Sequence, residues 1–106
     1  MADSDMLHSE KFRIISKKWV DADAAANMLE ETKSAVLAKR MIALGDIPVS
    51  RAEMQVKASD EWFEYVTSMV QAREKATLLK VQLEHIRMEY HEWQSLEATR
   101  RAEMKL

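Results

Sequence analysis

The sequence contains no cysteine, and it has only one glycine and one proline among 106 residues. The absence of cysteine excludes disulfide bonds and thiolate metal sites. A β-sandwich or β-barrel needs turn residues at short intervals, and this chain cannot supply them. The single glycine also excludes a glycine-rich phosphate loop and a dinucleotide-binding fingerprint. These absences favour an all-α fold.

Long apolar runs and a strong net charge are absent as well. No apolar run approaches the roughly 18 residues of a membrane-spanning helix, and the first residues lack the pattern of a signal peptide. We therefore expect a cytoplasmic protein that does not enter a membrane. The formal net charge of −2 argues against a surface that is basic throughout, as in many nucleic-acid-binding domains, but it allows local basic patches.

The first half of the chain has the pattern of one long helix. Residues 1–8 are largely polar and acidic, and we expect them to form a flexible segment. A single domain is expected over residues 9–106. No helix breaker interrupts residues 9–44, where apolar residues recur at alternating steps of three and four, as in a coiled-coil seam: Phe12, Ile15, Trp19, Ala22, Ala26 and Leu29.

The only glycine and the only proline stand close together, in the segment 45–49. Gly45 suits the left-handed conformation just past a helix end, and Pro48 prevents the helix from continuing. Ser50 and Glu53 then match a capping box, which predicts that a second helix begins at residue 50. A stop signal, a short link and a start signal predict an antiparallel helical hairpin.

The second predicted helix, over residues 50–104, carries a longer seam. Apolar residues keep the alternation of three and four there: Trp62, Tyr65, Met69, Ala72, Ala76, Leu79, Leu83, Ile86, Tyr90 and Trp93. Met54 and Ala58 extend the same seam towards the turn. Ser59, followed by two acidic residues, resembles a further helix start, so a kink near Ser59 is left open.

The second seam is longer than the hairpin accounts for. With the turn centred on Ile47, Phe12 lies opposite residue 82, because antiparallel helices pair at equal distances from the turn. Each large side chain left in water forgoes about 1.5–3 kcal/mol. We therefore expect a homo-oligomeric helical bundle whose oligomer or partner interface comprises four residues beyond that point: Leu83, Ile86, Tyr90 and Trp93. The alternative is that residues 1–11 fold back over them.

The polar residues are not arranged for catalysis or metal binding. His85, Glu89 and Glu92 share one helix face, but a di-iron bundle requires Glu-x-x-His pairs on facing helices, and the sequence has no such pair. Serines in the middle of helices have no nearby His–carboxylate pair. We expect no catalytic residue, metal, cofactor or small-molecule substrate, and hence a protein that is not an enzyme.

Basic residues cluster near the bend and at the end of the chain. They are candidate nucleic-acid-binding residues, because each cluster could contact phosphate groups: Lys39, Arg40, Arg51, Lys57, Arg100 and Arg101. Cations in the last turn of a helix also complement its dipole, which explains several of them without a ligand. An oligomer would multiply a weak patch into a multivalent one.

Two stretches carry a resemblance to known proteins. Residues 43–54 (ALGDIPVSRAEM) and 92–104 (EWQSLEATRRAEM) resemble small helical proteins encoded by tailed bacteriophages and prophages. The order of parts, with Ser50–Ala58 as the matching stretch, is similar to that of phage recombination mediators of the UvsY type. That resemblance implies a helical oligomer that helps to load a recombinase onto single-stranded DNA, with the six basic residues as contacts.

The sequence therefore gives one leading hypothesis and two alternatives. The leading hypothesis is a phage-type oligomeric accessory protein for DNA recombination or replication, which contacts single-stranded DNA and recombination proteins weakly in the bacterial cytoplasm. The first alternative is a helical adaptor or inhibitor that binds a host or phage protein through its apolar seam, without nucleic acid. The second is a structural or chaperone-like hairpin.

Overall fold

The computed structural model describes residues 7–105, which form three α-helices and no strand. The helices are α1 (His8–Ala43), α2 (Val49–Lys57) and α3 (Asp60–Met104). The prediction of an all-α fold is therefore confirmed. Within the described residues, no helix has an apolar stretch of the length needed to cross a bilayer.

The end of α1 follows the sequence signal closely. The helix ends at Ala43, one residue before the predicted end. Gly45 has a φ of 93°, a left-handed conformation that costs a residue with a Cβ roughly 1–2 kcal/mol. Its backbone N–H donates to the carbonyl of Ile42 at 3.1 Å. Glycine at this position therefore allows the chain to turn out of α1.

The stretch predicted as a second helix over residues 50–104 forms two helices, which are separated at Ala58 and Ser59, where the sequence left a kink open. The Ser59 hydroxyl donates to the carbonyl of Val56 at 2.6 Å, at the end of α2. It also accepts from the backbone N–H of Trp62 at 3.2 Å, in the first turn of α3. One side chain thus caps the end of one helix and the start of the next, which fixes the position of the break.

The start of α2 also differs from the prediction. The helix begins at Val49, with Pro48 in the capping position and no side-chain capping bond. Ser50 therefore lies inside α2, and the predicted capping box does not form. Glu53 instead pairs with Lys57 at 2.7 Å, one turn later. Pro48 has a φ of −56° and a ψ of 143°, an extended conformation that the proline ring favours and from which α2 begins.

The described residues group into two compact units, and the single-domain prediction for residues 9–106 stays a prediction. Unit 1 comprises residues 7–20 and 77–105, and unit 2 comprises residues 21–76. Unit 2 buries small apolar side chains and one tryptophan: Ala22, Ala26, Ala52, Val56, Trp62 and Ala76. Unit 1 buries Leu83 and Ile86. The alternating seams of α1 and α3 supply most of these residues, as predicted.

The buried face of α2 is not the one that the sequence pattern indicated. Ala52 and Val56 are buried, whereas Met54 and Ala58 are exposed. Because Ser59 breaks the helix, α2 has its own helical phase, and the seam of α3 cannot be extended backwards into it.

The start of the chain needs a correction within the predicted flexible segment 1–8. Residues 1–6 lie outside the described residues. His8 is already helical, as the first residue of α1, and its ring contacts α3 within unit 1. The helix therefore begins inside the segment that the sequence assigned to flexibility.

Candidate functional site

The clearest candidate site is an aromatic cluster of His8, Tyr90 and Trp93 in unit 1. The ring of His8 lies 5.8 Å from the ring of Tyr90, edge to face, and 6.3 Å from the ring of Trp93. The two larger rings stack on one another at 6.1 Å. Tyr90 is nevertheless 40% exposed and Trp93 49% exposed. The aromatic cluster is ordered by ring contacts but remains open to a partner.

Two of the four predicted interface residues are buried within the single chain. Leu83 is 8% exposed and Ile86 is 9% exposed, so both pack within the chain, and a role for them in an oligomer or partner interface stays a prediction. Within unit 1, α1 covers α3 further along than pairing at equal distances from the turn predicted. Phe12, which was predicted to lie opposite residue 82, has its ring 5.8 Å from the guanidinium carbon of Arg87. Tyr90 and Trp93 are the predicted interface residues that remain open to a partner, and Leu96 beyond them is 70% exposed.

The N-terminal residues cover the aromatic cluster only in part. His8 reaches Tyr90 and Trp93 as part of α1, not from a segment that folds back. The alternative in which residues 1–11 fold back over the seam is therefore not seen for residues 8–11, which are helical.

A groove of about 390 Å³ lies on one flank of unit 1. Its apolar lining comes from Ile14, Ile15 and Ile86, and its polar lining includes Gln82 and His85 from α3. Lys11 and Lys18 add two cations from α1. His85 also lies 3.7 Å from Glu89, so the groove borders an acidic residue. This combination of an apolar floor and a basic rim suits an amphipathic, acidic surface.

The candidate nucleic-acid-binding residues are divided between the two units. Unit 2 contains Lys39, Arg40, Arg51 and Lys57, and unit 1 contains Arg100 and Arg101. Lys57 is paired with Glu53 at 2.7 Å, and Arg100 with Glu97 at 3.5 Å. Arg40 and Arg101 lie in the last turns of α1 and α3, where they complement the helix dipoles. Whether any of the six residues binds DNA stays a prediction.

Sequence reasoning did not single out Arg73, whose side chain links α3 to α1 in unit 2. Its guanidinium forms a two-pronged pair with Glu30, at 2.8 and 2.9 Å. It also donates to Asp23 at 2.7 Å and to Asn27 at 2.6 Å. The signal lay in the spacing of Asp23, Asn27 and Glu30, which places three acceptors on one face of α1.

The Arg73 cluster shifts the ionisation of its members. The hydrogen bond from Arg73 lowers the pKa of the Glu30 carboxyl below its ordinary value of 4.5. The hydrogen bonds to Glu30 and Asp23 in turn raise the pKa of Arg73. Both shifts favour the charged pair. The Arg73 side chain is about a third exposed, so water screens the cluster, which is suited to aligning two helices.

A second polar link joins the same helices in unit 2. The hydroxyl of Tyr65 donates to the carbonyl of Leu29 at 2.6 Å and lies 3.2 Å from the hydroxyl of Thr32. Tyr65 also stacks on the buried Trp62, with the ring centres 5.4 Å apart. The Arg73 cluster and the Tyr65 hydroxyl thus both connect α1 to α3 within unit 2, so the roles of Arg73 and Tyr65 are structural.

Among residues 7–105 there is no group of three or more histidine or acidic side chains placed to hold a metal. Comparison of the chain with protein-family models, with curated proteins and with solved structures finds no match.

Proposed function

We propose that this chain is a non-enzymatic interaction protein, an antiparallel helical hairpin that self-associates through the exposed end of α3. One observation carries the proposal. The apolar seam of α3 is buried as far as Ile86, and it then continues through Tyr90 and Trp93, which are 40% and 49% exposed. A helix that keeps its apolar pattern beyond its own cover is typical of a protein that binds another helix.

The order of contacts within each unit supports the antiparallel hairpin. In unit 2, Arg73 contacts Asp23, whereas Tyr65, earlier in α3, contacts Thr32, later in α1. In unit 1, His8 contacts Tyr90. In unit 2, residues later in α1 contact residues earlier in α3, as in antiparallel packing.

Energetics favour association through the aromatic cluster. Burying a large apolar side chain completely gains about 1.5–3 kcal/mol, and rings that are half exposed leave part of this gain unused. Tyrosine and tryptophan are enriched among the residues that dominate binding energy, because they bury a large area with few rotatable bonds. Tyr90 and Trp93 are therefore the expected anchors.

The test is the mass of the protein in solution, with and without these anchors. We expect the full chain to elute as an oligomer and the Tyr90→Ala/Trp93→Ala variant to shift to a monomer, measured by light scattering behind a sizing column. Phe63→Ala is a matched control, because Phe63 is 72% exposed but lies in unit 2. A double variant that keeps the native mass would contradict the proposed surface.

A role in DNA recombination or replication is the second part of the proposal. Its support is the resemblance to phage accessory proteins, together with Lys39, Arg40 and Arg51. No ion pair that engages these three cations occurs within residues 7–105, and Lys39 and Arg51 are exposed. An oligomer would present several copies of this basic group to one strand. The cytoplasm stays the expected location.

Salt dependence separates this role from that of an adaptor that uses no nucleic acid. We expect weak binding to a single-stranded oligonucleotide that falls steeply with salt, because phosphate contacts release counterions. Lys39→Glu/Arg51→Glu should weaken it further, whereas the exposed Lys75→Glu control should not. Fluorescence anisotropy at two salt concentrations measures both. An oligomer that does not bind the oligonucleotide would contradict the DNA role and favour the adaptor.

A further inference from the structure

One face of α3 in unit 1 carries a pattern that the seam does not explain. Six residues recur there at steps of four and three, which places them on one side of the helix beside the buried seam. We call this face the outer stripe: Leu78, Gln82, His85, Glu89, Glu92 and Leu96. Leu78 is 66% exposed and Leu96 is 70% exposed, so large apolar side chains stand open at both ends of the outer stripe.

The order of residues along the outer stripe is complementary to itself when one copy is reversed. A reversed copy, centred on position 87, places Leu78 opposite Leu96. It also places Gln82 opposite Glu92, and His85 opposite Glu89. The apolar ends meet apolar ends, the amide can donate to a carboxylate, and the imidazole can donate to the other carboxylate. No acidic residue meets an acidic residue in this alignment.

The cations of α1 strengthen the same complementarity. Lys11 and Lys18 line the groove beside Gln82 and His85, the two stripe residues that face carboxylates in the reversed alignment. A second copy would therefore bring Glu89 and Glu92 to the basic rim of the groove. The acidic half of each outer stripe meets a basic flank of its partner, and the arrangement occurs twice by symmetry.

We infer that the outer stripe is the contact of a two-fold symmetric dimer, in which α3 packs antiparallel against α3 of a second copy near position 87. This inference rests on the self-association proposed above and names its geometry. The stripe spans eighteen steps of the helix, roughly 27 Å at 1.5 Å per residue. Antiparallel helices that cross at about 20° can stay in contact over such a length. Trp93 lies one turn from Leu96 and extends the contact.

The charges of the outer stripe and the groove favour a second copy of the chain over other partners. A nucleic-acid strand would meet Lys11 and Lys18 but would be repelled by Glu89 and Glu92. An acidic partner helix would fit the groove and be repelled by the same carboxylates. A surface that carries both signs in reversed order satisfies both halves, and this chain supplies such a surface itself.

Charge exchange tests the inference directly. Lys11→Glu/Lys18→Glu makes both halves acidic, and Glu89→Lys/Glu92→Lys makes both halves basic. We expect each variant to self-associate roughly tenfold or more weakly than the native chain, because like charges then face each other. A mixture of the two variants should restore a stable heterodimer, since each acidic surface then meets a basic one. Sedimentation velocity measures the three samples, and circular dichroism checks that each variant is helical.

Cysteine pairing provides a second measurement that does not depend on charge. The chain has no cysteine of its own. We expect Leu78→Cys protein mixed with Leu96→Cys protein to form a disulfide-linked dimer under mild oxidation. Neither protein alone should do so, because identical positions lie roughly 27 Å apart along the pair.

A control variant carries charge changes away from the outer stripe. Arg13→Glu/Glu84→Lys changes the same number of charges at exposed positions on the other flank, and it should leave the dimer intact. If the charge variants dimerised as tightly as the native chain and did not prefer the mixture, the outer stripe would not be the dimer contact. If Tyr90→Ala/Trp93→Ala still dissociated that oligomer, self-association would stand without this geometry. A native chain that is monomeric would contradict both the proposed self-association and the outer-stripe dimer.

Discussion

Arg73 joins α3 to two successive turns of α1 through Asp23, Asn27 and Glu30. Its planar guanidinium presents donors in a fixed fork, so one side chain can hold two carboxylates and an amide at once. A lysine at this position would offer one flexible cation and could not reproduce the arrangement. The contribution of Arg73 to unit 2 is therefore geometric, since it fixes which turns of the two helices meet.

Acid should weaken this link, and the sign follows from the pKa of Glu30. Because Arg73 lowers that pKa below 4.5, the pair stabilises the folded chain fully above pH 4.5. The stabilisation is lost as the pH falls through the lower folded value. We expect the native chain to lose more free energy of unfolding between pH 7 and pH 3 than Arg73→Gln does, measured by urea denaturation. Lys75→Gln should behave as the native chain, and an equal loss in Arg73→Gln would contradict the link.

At the residue scale, periodicity predicted the apolar contacts better than the polar ones. Trp62, Ala76 and Ala26 are buried, as their place in the seams indicated. The role of Arg73 could not be derived in the same way, because a charged residue beside a seam is ordinarily solvated. Its partners become apparent only when α1 and α3 are set side by side in unit 2.

Ser59 determines where α2 ends and α3 begins. Its hydroxyl donates to the carbonyl of Val56 and accepts from the N–H of Trp62, and its own backbone N–H donates to the same carbonyl at 3.0 Å. Ser50, which the sequence pattern marked as a cap, makes no capping bond. The sequence marked both serines as possible helix starts, and of the two only Ser59 makes a capping bond.

The two serines give a matched pair for mutation. We expect Ser59→Ala to lower the free energy of unfolding by about 1 kcal/mol, because a helix cap is lost. Ser50→Ala should change it by less than about 0.5 kcal/mol, as for other exposed positions away from special features. Chemical denaturation measures both variants. Equal effects, or a larger effect at Ser50, would contradict the break at Ser59.

Close packing of α1 in unit 2 depends on small side chains. Ala26 is fully buried, at 0% exposure, and packed interiors have little room for added atoms. We expect Ala26→Leu to destabilise the chain by about 1–3 kcal/mol through overpacking. Ala24→Leu, two residues away on the exposed face, should be nearly neutral. Thermal unfolding compares them, and a neutral Ala26→Leu would contradict the burial of this face.

At the scale of the whole chain, composition alone predicted the all-α class, because a chain with one glycine and one proline cannot form many turns. It could not predict how far one helix covers the other. The pairing estimate left Leu83 and Ile86 uncovered, yet both are buried. The estimate treated residues 45–49 as the whole connection, whereas α2 also lies between α1 and α3.

The proposed self-association uses the surface of α3 that α1 leaves exposed. Beyond Ile86 the described part of α3 continues to Met104, with Tyr90, Trp93 and Leu96 exposed to different degrees. The outer stripe lies beside them and provides complementary charges for a second copy. An apolar core beside a polar rim is the usual composition of a specific protein interface.

Sedimentation equilibrium of the native protein measures whether the chain self-associates, as proposed for α3. The chain has a mass of 12.3 kDa. Over a concentration range of about 1–100 μM, which brackets Kd values typical of moderate affinity, we expect the mass to rise from that value to twice it. The data should fit a monomer–dimer equilibrium. A mass that stays at that of one chain over the whole range would contradict the account.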